Sequence, residues 1–379
     1  MNPRERFQAI CHFERGGDLF ISPYNHAMWY ETLERWVQEG APPEILTSPT
    51  DRFRYLKFER ISMLRVIAAL QGTGPAGGPP FIAPVCPLAE RQVVAENERH
   101  RTVINEAGVT LKELKDHPEQ MPTWIDYPVK NREDWREFKK LLDPHHPDRW
   151  QVGDWEVYVN KMKDWNFPLG CEIGGLYGVP REFVGAEDWI FMFFDDTSLV
   201  EEIMDHMTYF GMEIIDKVCS EIEIDFAVIF EDIAYNQGPL ISPKMFKEFM
   251  VPRYRKMTDL LKKYGVDVVF VDSDGDISEL IPLWLEAGVN ATYPLECAAG
   301  MDAVKLRKEY GKDLIIWGNI DKRALAKGKE AIKAELNYKI PFLIKDGGYL
   351  PGIDHFVPPD VSLENFLFYL EYMRGFIEK

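Results

Sequence analysis

Carboxylates and a histidine follow apolar runs four times in the second half of this chain. The runs are VIFEDIAY, VVFVDSDGDI, LIIWGNIDKR and GGYLPGIDH, at residues 228–235, 268–277, 314–323 and 347–355. An apolar, β-rich run that ends in acid and precedes a helical pattern is typical of a barrel strand opening onto an active site. Like charges gathered at one rim are unfavourable unless a metal, a proton or a substrate compensates them. The pattern therefore predicts a functional site at the strand ends.

The segment DSDGD places three carboxylates at alternate positions, namely Asp272, Asp274 and Asp276. If the strand continues through them, all three side chains point to one face. If a turn begins at Gly275, only Asp272 and Asp274 share the mouth, and Asp276 has the alternative role of capping the next helix. A calcium loop is disfavoured because the glycine falls at the fourth place and the twelfth residue is Leu283.

The neighbouring strand ends supply further candidates. Glu231 and Asp232 are adjacent, so at most one of them faces the barrel mouth. We favour Asp232 as the catalytic partner and keep Glu231 as a metal-ligand candidate; the other residue would cap a helix or pair with a strand. His355 could act as a metal ligand or as a proton donor with a raised pKa, the alternative being a structural histidine bonded to a carboxylate. Asp321 is expected to contact substrate or, alternatively, to cap the helix after it.

Other residues are expected to shape the pocket. Tyr24, Asn25 and His26 end the first expected strand, and Glu172 and Tyr177 lie in the next strand-like run at residues 167–178. Cys297 would be the natural soft ligand for zinc, but one thiol among acids is not a structural zinc site. A lone cysteine is more often an apolar filler.

Composition narrows the class of protein. The chain has 379 residues, a net charge of −18, 46% hydrophobic and 28% charged residues, and 49 aromatic side chains (10 Trp, 16 Tyr and 23 Phe). These values are typical of a soluble globular protein with a substantial core. The sequence contains no block of Lys and Arg residues of the kind that would favour a nucleic-acid partner. Five scattered cysteines argue against a disulfide framework, and no apolar run is long enough for a membrane span, so we expect a cytoplasmic protein.

Strand-like and helical segments alternate strictly from Phe167 onward, which favours a parallel sheet. Before that point we predict a helix at residues 2–15, a first strand at 18–24, helices across 27–70 and a β-hairpin at 88–114. The prediction is a single α/β domain, residues 1–379. It is a (β/α)8 TIM barrel with an N-terminal helical extension and a loop-and-hairpin insertion at about residues 72–125. An open doubly wound sheet is disfavoured because there is no GxGxxG motif and polar clusters follow almost every strand.

The whole chain resembles the uroporphyrinogen decarboxylase superfamily, including its cobamide-dependent methyltransferase branch. The start NPRERFQAICHFERGGDLF resembles the family's opening helix and first strand. EDIAYNQGPLISPKMFKEFMVPRYRKM resembles its acidic strand end and following helix. GVNATYPLE, LIIWGNIDKRAL and GGYLPGIDHFVPPDVSLENF match its last three strand segments in order. The resemblance implies a single (β/α)8 barrel.

The resemblance also separates two activities. Uroporphyrinogen decarboxylases carry an RQAGR-like loop after the first strand that binds substrate carboxylates, whereas this chain reads SPYNHAMWYE without arginine; only His355 matches the family's late GHG histidine. The methyltransferase branch has H-x-C-G where this chain has Asp272, Ser273, Asp274 and Gly275, and a late cysteine where it has His355. Those family residues hold zinc that activates a thiol. Replacing them with acids leaves a harder or weaker metal set, or protons.

We therefore expect the other half-reaction, in which a methyl group moves from a methoxylated, aromatic substrate onto the cob(I)alamin of a partner corrinoid protein. An ether oxygen is a poor leaving group unless it is protonated or bound to a Lewis acid. The expected catalytic residues are Asp272, Asp274, His355 and Asp232. A divalent metal such as zinc on Asp272, Asp274, His355 and Glu231, and a homodimer, remain open. The alternatives are a tetrapyrrole decarboxylase and a metal-dependent barrel hydrolase.

Overall fold

Parallel strands separated by helices build the centre of the protein. We describe it from a computed structural model, which covers residues 1–24, 26–65, 85–116, 121–150 and 155–377. The expected pocket residue Asn25, and all but the last residues of the loop expected at 72–87, lie outside the described residues.

The strands in chain order are β1 (Ser62–Arg65), β2 (Gln92–Glu96), β3 (His100–Ile104), β4 (Thr110–Leu114), β5 (Thr123–Asp126), β6 (Leu169–Glu172), β7 (Phe226–Phe230), β8 (Ala234–Tyr235), β9 (Gly238–Pro239), β10 (Val269–Ser273), β11 (Ala291–Pro294), β12 (Ile315–Trp317) and β13 (Tyr349–Leu350).

The α-helices are α1 (Pro3–Cys11), α2 (Tyr30–Gln38), α3 (Pro49–Tyr55), α4 (Arg132–Phe138), α5 (Trp155–Met162), α6 (Gly178–Val184), α7 (Ala186–Asp195), α8 (Thr197–Glu221), α9 (Pro243–Phe249), α10 (Val251–Lys263), α11 (Ile281–Glu286), α12 (Ala303–Tyr310), α13 (Lys322–Lys327), α14 (Lys329–Leu343) and α15 (Leu363–Arg374). Short 3-10 turns lie at Pro43–Ile45, Lys139–Leu142, Pro147–Trp150 and Cys297–Ala299. None of the helices in the described ranges combines the length and apolar character needed to cross a bilayer.

The barrel sheet runs in the order β1, β6, β7, β10, β11, β12, β13, and every neighbouring pair is parallel. Residues 18–22 take the eighth position: they are extended, with Phe20 in the interior cluster and Leu19 and Ile21 in the outer one. The predicted first strand at 18–24 is wrong in one respect, since this segment joins no strand ladder in the described chain. Its link to the sheet is the Glu59 amide, which donates to the Ile21 carbonyl at 2.8 Å. The (β/α)8 TIM-barrel prediction is confirmed.

Side chains alternate along each barrel strand, as the pleat requires. Phe226 and Val228 of β7 and Phe270 of β10 point into the barrel, while Ile229 and Val271 point outward to the helices. Each strand therefore contributes to two separate cores. The same alternation decides which polar residue at a strand end enters the mouth.

Helix α1 closes the barrel at the N-terminal ends of the strands. It begins with a capping box between Asn2 and Glu5, and Pro3 occupies its first turn, an arrangement that favours a helix start. Phe7 lies with its ring centroid 5.1 Å from Phe226 and 6.3 Å from Trp317. The aromatic side chain of a helix thus fills the lower interior of the barrel.

The insertion between β1 and β6 is larger than the predicted hairpin. The hairpin is present as β3 and β4, and its turn is stabilised by the Asn105 side chain, which accepts hydrogen bonds from the Ala107 and Val109 amides. Strands β2 and β5 extend it to a four-stranded antiparallel sheet in the order β2, β3, β4, β5. The helical prediction for residues 27–70 is wrong at Ser62–Arg65, which form a barrel strand.

We expect Phe7→Ala to lower the free energy of unfolding by about 3–5 kcal/mol, because it leaves a cavity inside the barrel. The measurement is the urea denaturation midpoint and slope followed by tryptophan fluorescence. Phe191→Ala is the matched control, since Phe191 is 61% exposed on α7 and removing its ring creates no cavity. Equal midpoints for the two variants would show that α1 does not support the barrel.

Candidate active site

Asp272 occupies the inward-facing position at the carboxyl end of β10. It lies in register with Phe230 of β7 and Tyr293 of β11, which places it at the mouth of the barrel. The Tyr293 side chain forms a hydrogen bond with its carboxyl group. The alternation that directs Phe270 inward therefore also delivers one carboxyl to the end of the apolar interior.

Three other carboxylates surround Asp272. Burial raises the pKa of Asp272 well above its usual range, and the charges of Asp232, Asp274 and Glu172 raise it further, while the hydrogen bond from Tyr293 opposes this shift. Glu172 reaches the mouth from the end of β6 and is 9% exposed. Because several like charges share a site from which water is partly excluded, the ionised form of Asp272 is disfavoured.

Asp232 faces the same group of acids. Its backbone adopts a left-handed conformation with φ of 44°, which turns its side chain away from that of Glu231. Arg181 of α6 donates to the Asp232 carbonyl at 2.9 Å and to its carboxylate at 3.3 Å. Burial raises the pKa of Asp232, Arg181 lowers it and Asp274 raises it. Arg181 is therefore the cation that stabilises charge on this carboxylate.

Asp274 and His355 connect two distant strand ends. The Nε2 atom of His355 lies 3.3 Å from an Asp274 carboxylate oxygen, and both side chains are about one third exposed. The hydrogen bond with Asp274 raises the pKa of His355, and burial opposes the shift. The structure thus brings Asp272, Asp274, Asp232 and His355 together at one mouth.

Glu231 does not face the mouth. It is fully buried and accepts hydrogen bonds from the Leu176, Tyr177 and Gly178 amides at 3.1, 2.8 and 2.7 Å, at the start of α6. Burial raises its pKa to about 7, against the lowering effect of the three amides. The metal-ligand prediction for Glu231 is corrected, because its oxygens serve the unpaired amides of a helix N-terminus.

Aromatic rings form the floor beneath the acids. Tyr24 lies with its ring 4.8 Å from Trp317, and its hydroxyl is 2.7 Å from that of Tyr293. Tyr24, Tyr293 and Asp272 therefore form a continuous hydrogen-bonded chain. The placement of Tyr24 at the mouth agrees with its predicted pocket role.

Three predicted pocket residues lie elsewhere. His26 is buried between the Ser22 carbonyl (2.7 Å) and the Tyr369 hydroxyl (2.9 Å), and burial lowers its pKa to about 4. Tyr177 is fully buried against Trp189 and Phe193. Asp321 caps α13 by accepting from the Arg323 amide at 2.8 Å and pairs with the Arg323 side chain. These three predictions are corrected, because each side chain satisfies local structure and not a ligand.

The predicted metal set does not fit the geometry. Within the described ranges, no three side chains among His, Cys, Asp and Glu are arranged to hold one ion. Glu231 is committed to three amides, and the Cys297 thiol lies 3.4 Å from the ammonium of buried Lys339. Asp274 and His355 contact each other directly.

Comparisons with known proteins decide the family. The uroporphyrinogen decarboxylase (URO-D) family profile matches residues 102–376, most of the chain. The chain belongs to the uroporphyrinogen decarboxylase family. Within it, the uroporphyrinogen decarboxylase of Rickettsia africae (strain ESF-5) is 35% identical over 79 residues, a match that covers 21% of this chain and 22% of that protein. The curated relative is thus matched over about a fifth of its length.

A solved structure extends the likeness to the complete fold. A methyltransferase from Methanosarcina mazei superimposes with a TM-score of 0.63 at 15% identity, and the alignment covers 99% of both chains. At this identity the likeness concerns the fold. It agrees with the family assignment across the barrel and its insertion.

Two residues of this family member's site were missed from the sequence. Tyr293 was readable from alternation, since a polar aromatic follows Ala291 at the inward positions of an apolar strand. Arg181 follows a glycine-rich segment and carries no strand-end pattern, so its contact with Asp232 depends on the tertiary fold. Asp354, fully buried, accepts from the Cys297 amide and the Lys322 amide at 2.9 Å each, and thereby joins the loops after β11 and β12.

We expect Asp274→Asn to lower the pKa of His355, because the hydrogen bond and charge that raise it are removed. Because the pKa of His355 is raised, the charged imidazole that pairs with Asp274 is populated below that folded-state pKa and is lost as the pH rises through it. The measurement is a histidine NMR titration, with the resonance assigned by its loss in His355→Gln. Asp276→Asn removes a charge from the same loop and should leave the titration unchanged. An unaltered His355 pKa in Asp274→Asn would contradict the pairing.

Proposed function

We propose that this protein transfers a methyl group from a methoxylated aromatic compound to the cob(I)alamin of a partner corrinoid protein. The observation that carries the proposal is the placement of Asp272, a carboxyl at the barrel mouth held by Tyr293 among three other carboxylates. Burial and the neighbouring charges raise the pKa of Asp272 well above its usual range, and a carboxyl whose protonated form is favoured in this way can act as a general acid. Breaking an aryl or alkyl ether needs a proton for the departing oxygen.

The chain's own residues account for the proton transfer. As the bond between methyl carbon and oxygen breaks, the electron pair passes to oxygen and the Asp272 carboxyl donates its proton to it. Asp272 is left ionised, and the Tyr293 hydroxyl, itself bonded to Tyr24, stabilises the new charge. Arg181 opposes the burial that raises the pKa of the neighbouring Asp232, and in this proposal Asp272 is the proton carrier of the two.

The methyl acceptor is supplied by the partner. Cob(I)alamin is a powerful nucleophile, so the acceptor itself needs no activation by this chain. The rim offers apolar surface for a planar group, since Tyr235 after β7 is 68% exposed and Phe356 beside His355 is 43% exposed. These rings are the residues that would contact the partner's corrin face.

The aromatic floor supports an aromatic donor. Tyr24, Tyr293 and Trp317 pack against one another below Asp272, and Tyr24, the partly exposed ring of the three, is the one that a donor would contact. Offset and edge-to-face contacts between rings contribute about 0.5–1.5 kcal/mol beyond simple burial. A methoxybenzene ring held there would present its ether oxygen to the acid.

Decarboxylation of a tetrapyrrole is disfavoured by charge. A substrate with many carboxylates requires cations at the mouth, whereas residues 22–31 contain neither arginine nor lysine. The mouth itself carries Asp232, Asp274 and Glu172 beside Asp272, and negative charge on these three would repel such a substrate. Hydrolysis that depends on a bound metal is not favoured by any three-ligand arrangement in the described part of the chain.

We expect Asp272→Asn to slow methyl transfer from an unactivated aryl methyl ether by roughly 10²- to 10⁴-fold, the usual contribution of a general acid. The reaction is followed as the change in absorbance when cob(I)alamin on a corrinoid protein is methylated. A series of methyl ethers whose phenol leaving groups are increasingly electron-poor tests whether Asp272 acts as an acid, because a stable phenolate departs without being protonated. The deficit of Asp272→Asn should shrink along that series.

Asp276→Asn is the matched control, since Asp276 lies in the same loop but accepts only from the Ser278 amide at 3.0 Å. A deficit independent of the leaving group would remove the acid role of Asp272 while leaving methyl transfer in place. No absorbance change with any donor, combined with coproporphyrinogen formation from uroporphyrinogen, would overturn the methyl-transfer proposal itself.

A further inference from the structure

A second cavity lies at the opposite end of the barrel from Asp272. It has a volume of about 410 Å³ and is lined by four cations and two carboxylates, namely Arg6, Arg15, Lys57, Arg374, Asp18 and Glu59. The residues come from α1 and the segment after it (Arg6, Arg15 and Asp18), the segment between α3 and β1 (Lys57 and Glu59) and the end of α15 (Arg374). We propose that this cavity, called here the basic pocket, binds a small oxyanion with two negative charges.

Two of the cations are already neutralised. Arg6 contacts Asp18 at 3.2 Å and Glu59 at 2.6 Å, and Arg15 also pairs with Asp18. Asp18 is nearly buried, with 8% of its side chain exposed. These ion pairs fix the wall of the basic pocket, since each carboxylate has at least one guanidinium partner of good geometry.

The other two cations carry the surplus charge. Within the described residues, Lys57 has no hydrogen-bond or ion-pair partner for its ammonium group. One guanidinium nitrogen of Arg374 donates to the Leu56 and Lys57 carbonyls at 2.7 and 3.0 Å. No carboxylate of the described residues lies within 4 Å of Arg374. Four positive and two negative side chains leave a net charge of +2 at this place in a chain of −18.

The size and charge define the ligand class. A cavity of this volume is at the small end of the range for small-molecule sites. Guanidinium groups suit carboxylate and phosphate oxygens, and an ammonium adds a point charge. A phosphate group or a short dicarboxylate fits these requirements, whereas the strongly negative remainder of the protein disfavours non-specific anion binding.

The position gives binding a consequence for the fold. A ligand held by Lys57 and Arg374 would connect the start of the barrel with its last helix, because Arg374 already grips the carbonyls that precede β1. Binding to the folded state alone raises its stability by mass action. The basic pocket is distant from the mouth, so this inference does not rest on the methyl-transfer proposal.

The test is isothermal titration calorimetry of the full chain with inorganic phosphate and, separately, succinate, at constant ionic strength set by chloride. One of the two anions should bind with a stoichiometry of one, and the preference between them distinguishes phosphate from dicarboxylate ligands. Lys57→Asn should weaken that binding roughly tenfold, as expected for loss of one charged hydrogen bond. Asparagine is chosen because Lys57 has a φ of 55°, which asparagine tolerates.

Lys263→Asn is the matched control, since it removes the same charge from an exposed site at the end of α10. The thermal midpoint without anion verifies that both variants fold, and the bound anion should raise that midpoint more in the wild type than in Lys57→Asn. Absence of binding by either anion, or equal affinity in the wild type and Lys57→Asn, would overturn the proposal. Equal weakening in both variants would do the same, because it would reflect overall charge alone.

Discussion

The alternation of side chains along parallel strands is the constraint on which the site depends. Val268 and Phe270 point into the barrel, so Asp272 must also point inward at the end of the same strand. A shift of one residue would expose the acid to the outer helices and bury Val271 in the mouth. The packing of the apolar interior therefore determines that the Asp272 carboxyl lies in the mouth above it.

The site also depends on a different partner for each of its carboxyl groups. Glu231 is removed from the mouth by three backbone amides, and Asp232 is paired with Arg181. Asp274 has His355 as its partner. Among the side chains that the structure describes, no cation or amide contacts the Asp272 carboxyl, and a tyrosine hydroxyl on the neighbouring strand is its hydrogen-bond partner. Carboxyl groups that are close together in the fold are thus held by different partners: backbone amides, a guanidinium, an imidazole and a tyrosine hydroxyl.

Much of this could be predicted from periodicity. The strands from β6 onward, the long helix α8 and the convergence of Asp272, Asp274 and His355 follow from apolar runs that end in acid. The sequence indicated that at most one of Glu231 and Asp232 faces the mouth, but it could not decide which one. The left-handed backbone at Asp232 is set by the surrounding fold.

Other features depend on tertiary contacts that no local pattern records. The strand at Ser62–Arg65 was hidden in a sequence with helical periodicity, since its pairing partner β6 lies more than a hundred residues away. His26 was expected in the pocket because it ends the first expected strand, and Tyr177 because it lies in the next strand-like run. Packing places both within the helical layer, where Tyr369 and Trp189 are their neighbours.

The helix that fills the lower barrel has a kinetic consequence. With Phe7 and its neighbours occupying that end, the interior communicates with solvent from one side. In the proposed methyl transfer, the donor, the corrinoid partner and the demethylated product would all use this opening. The small molecule would then enter before the partner docks and leave after the partner dissociates.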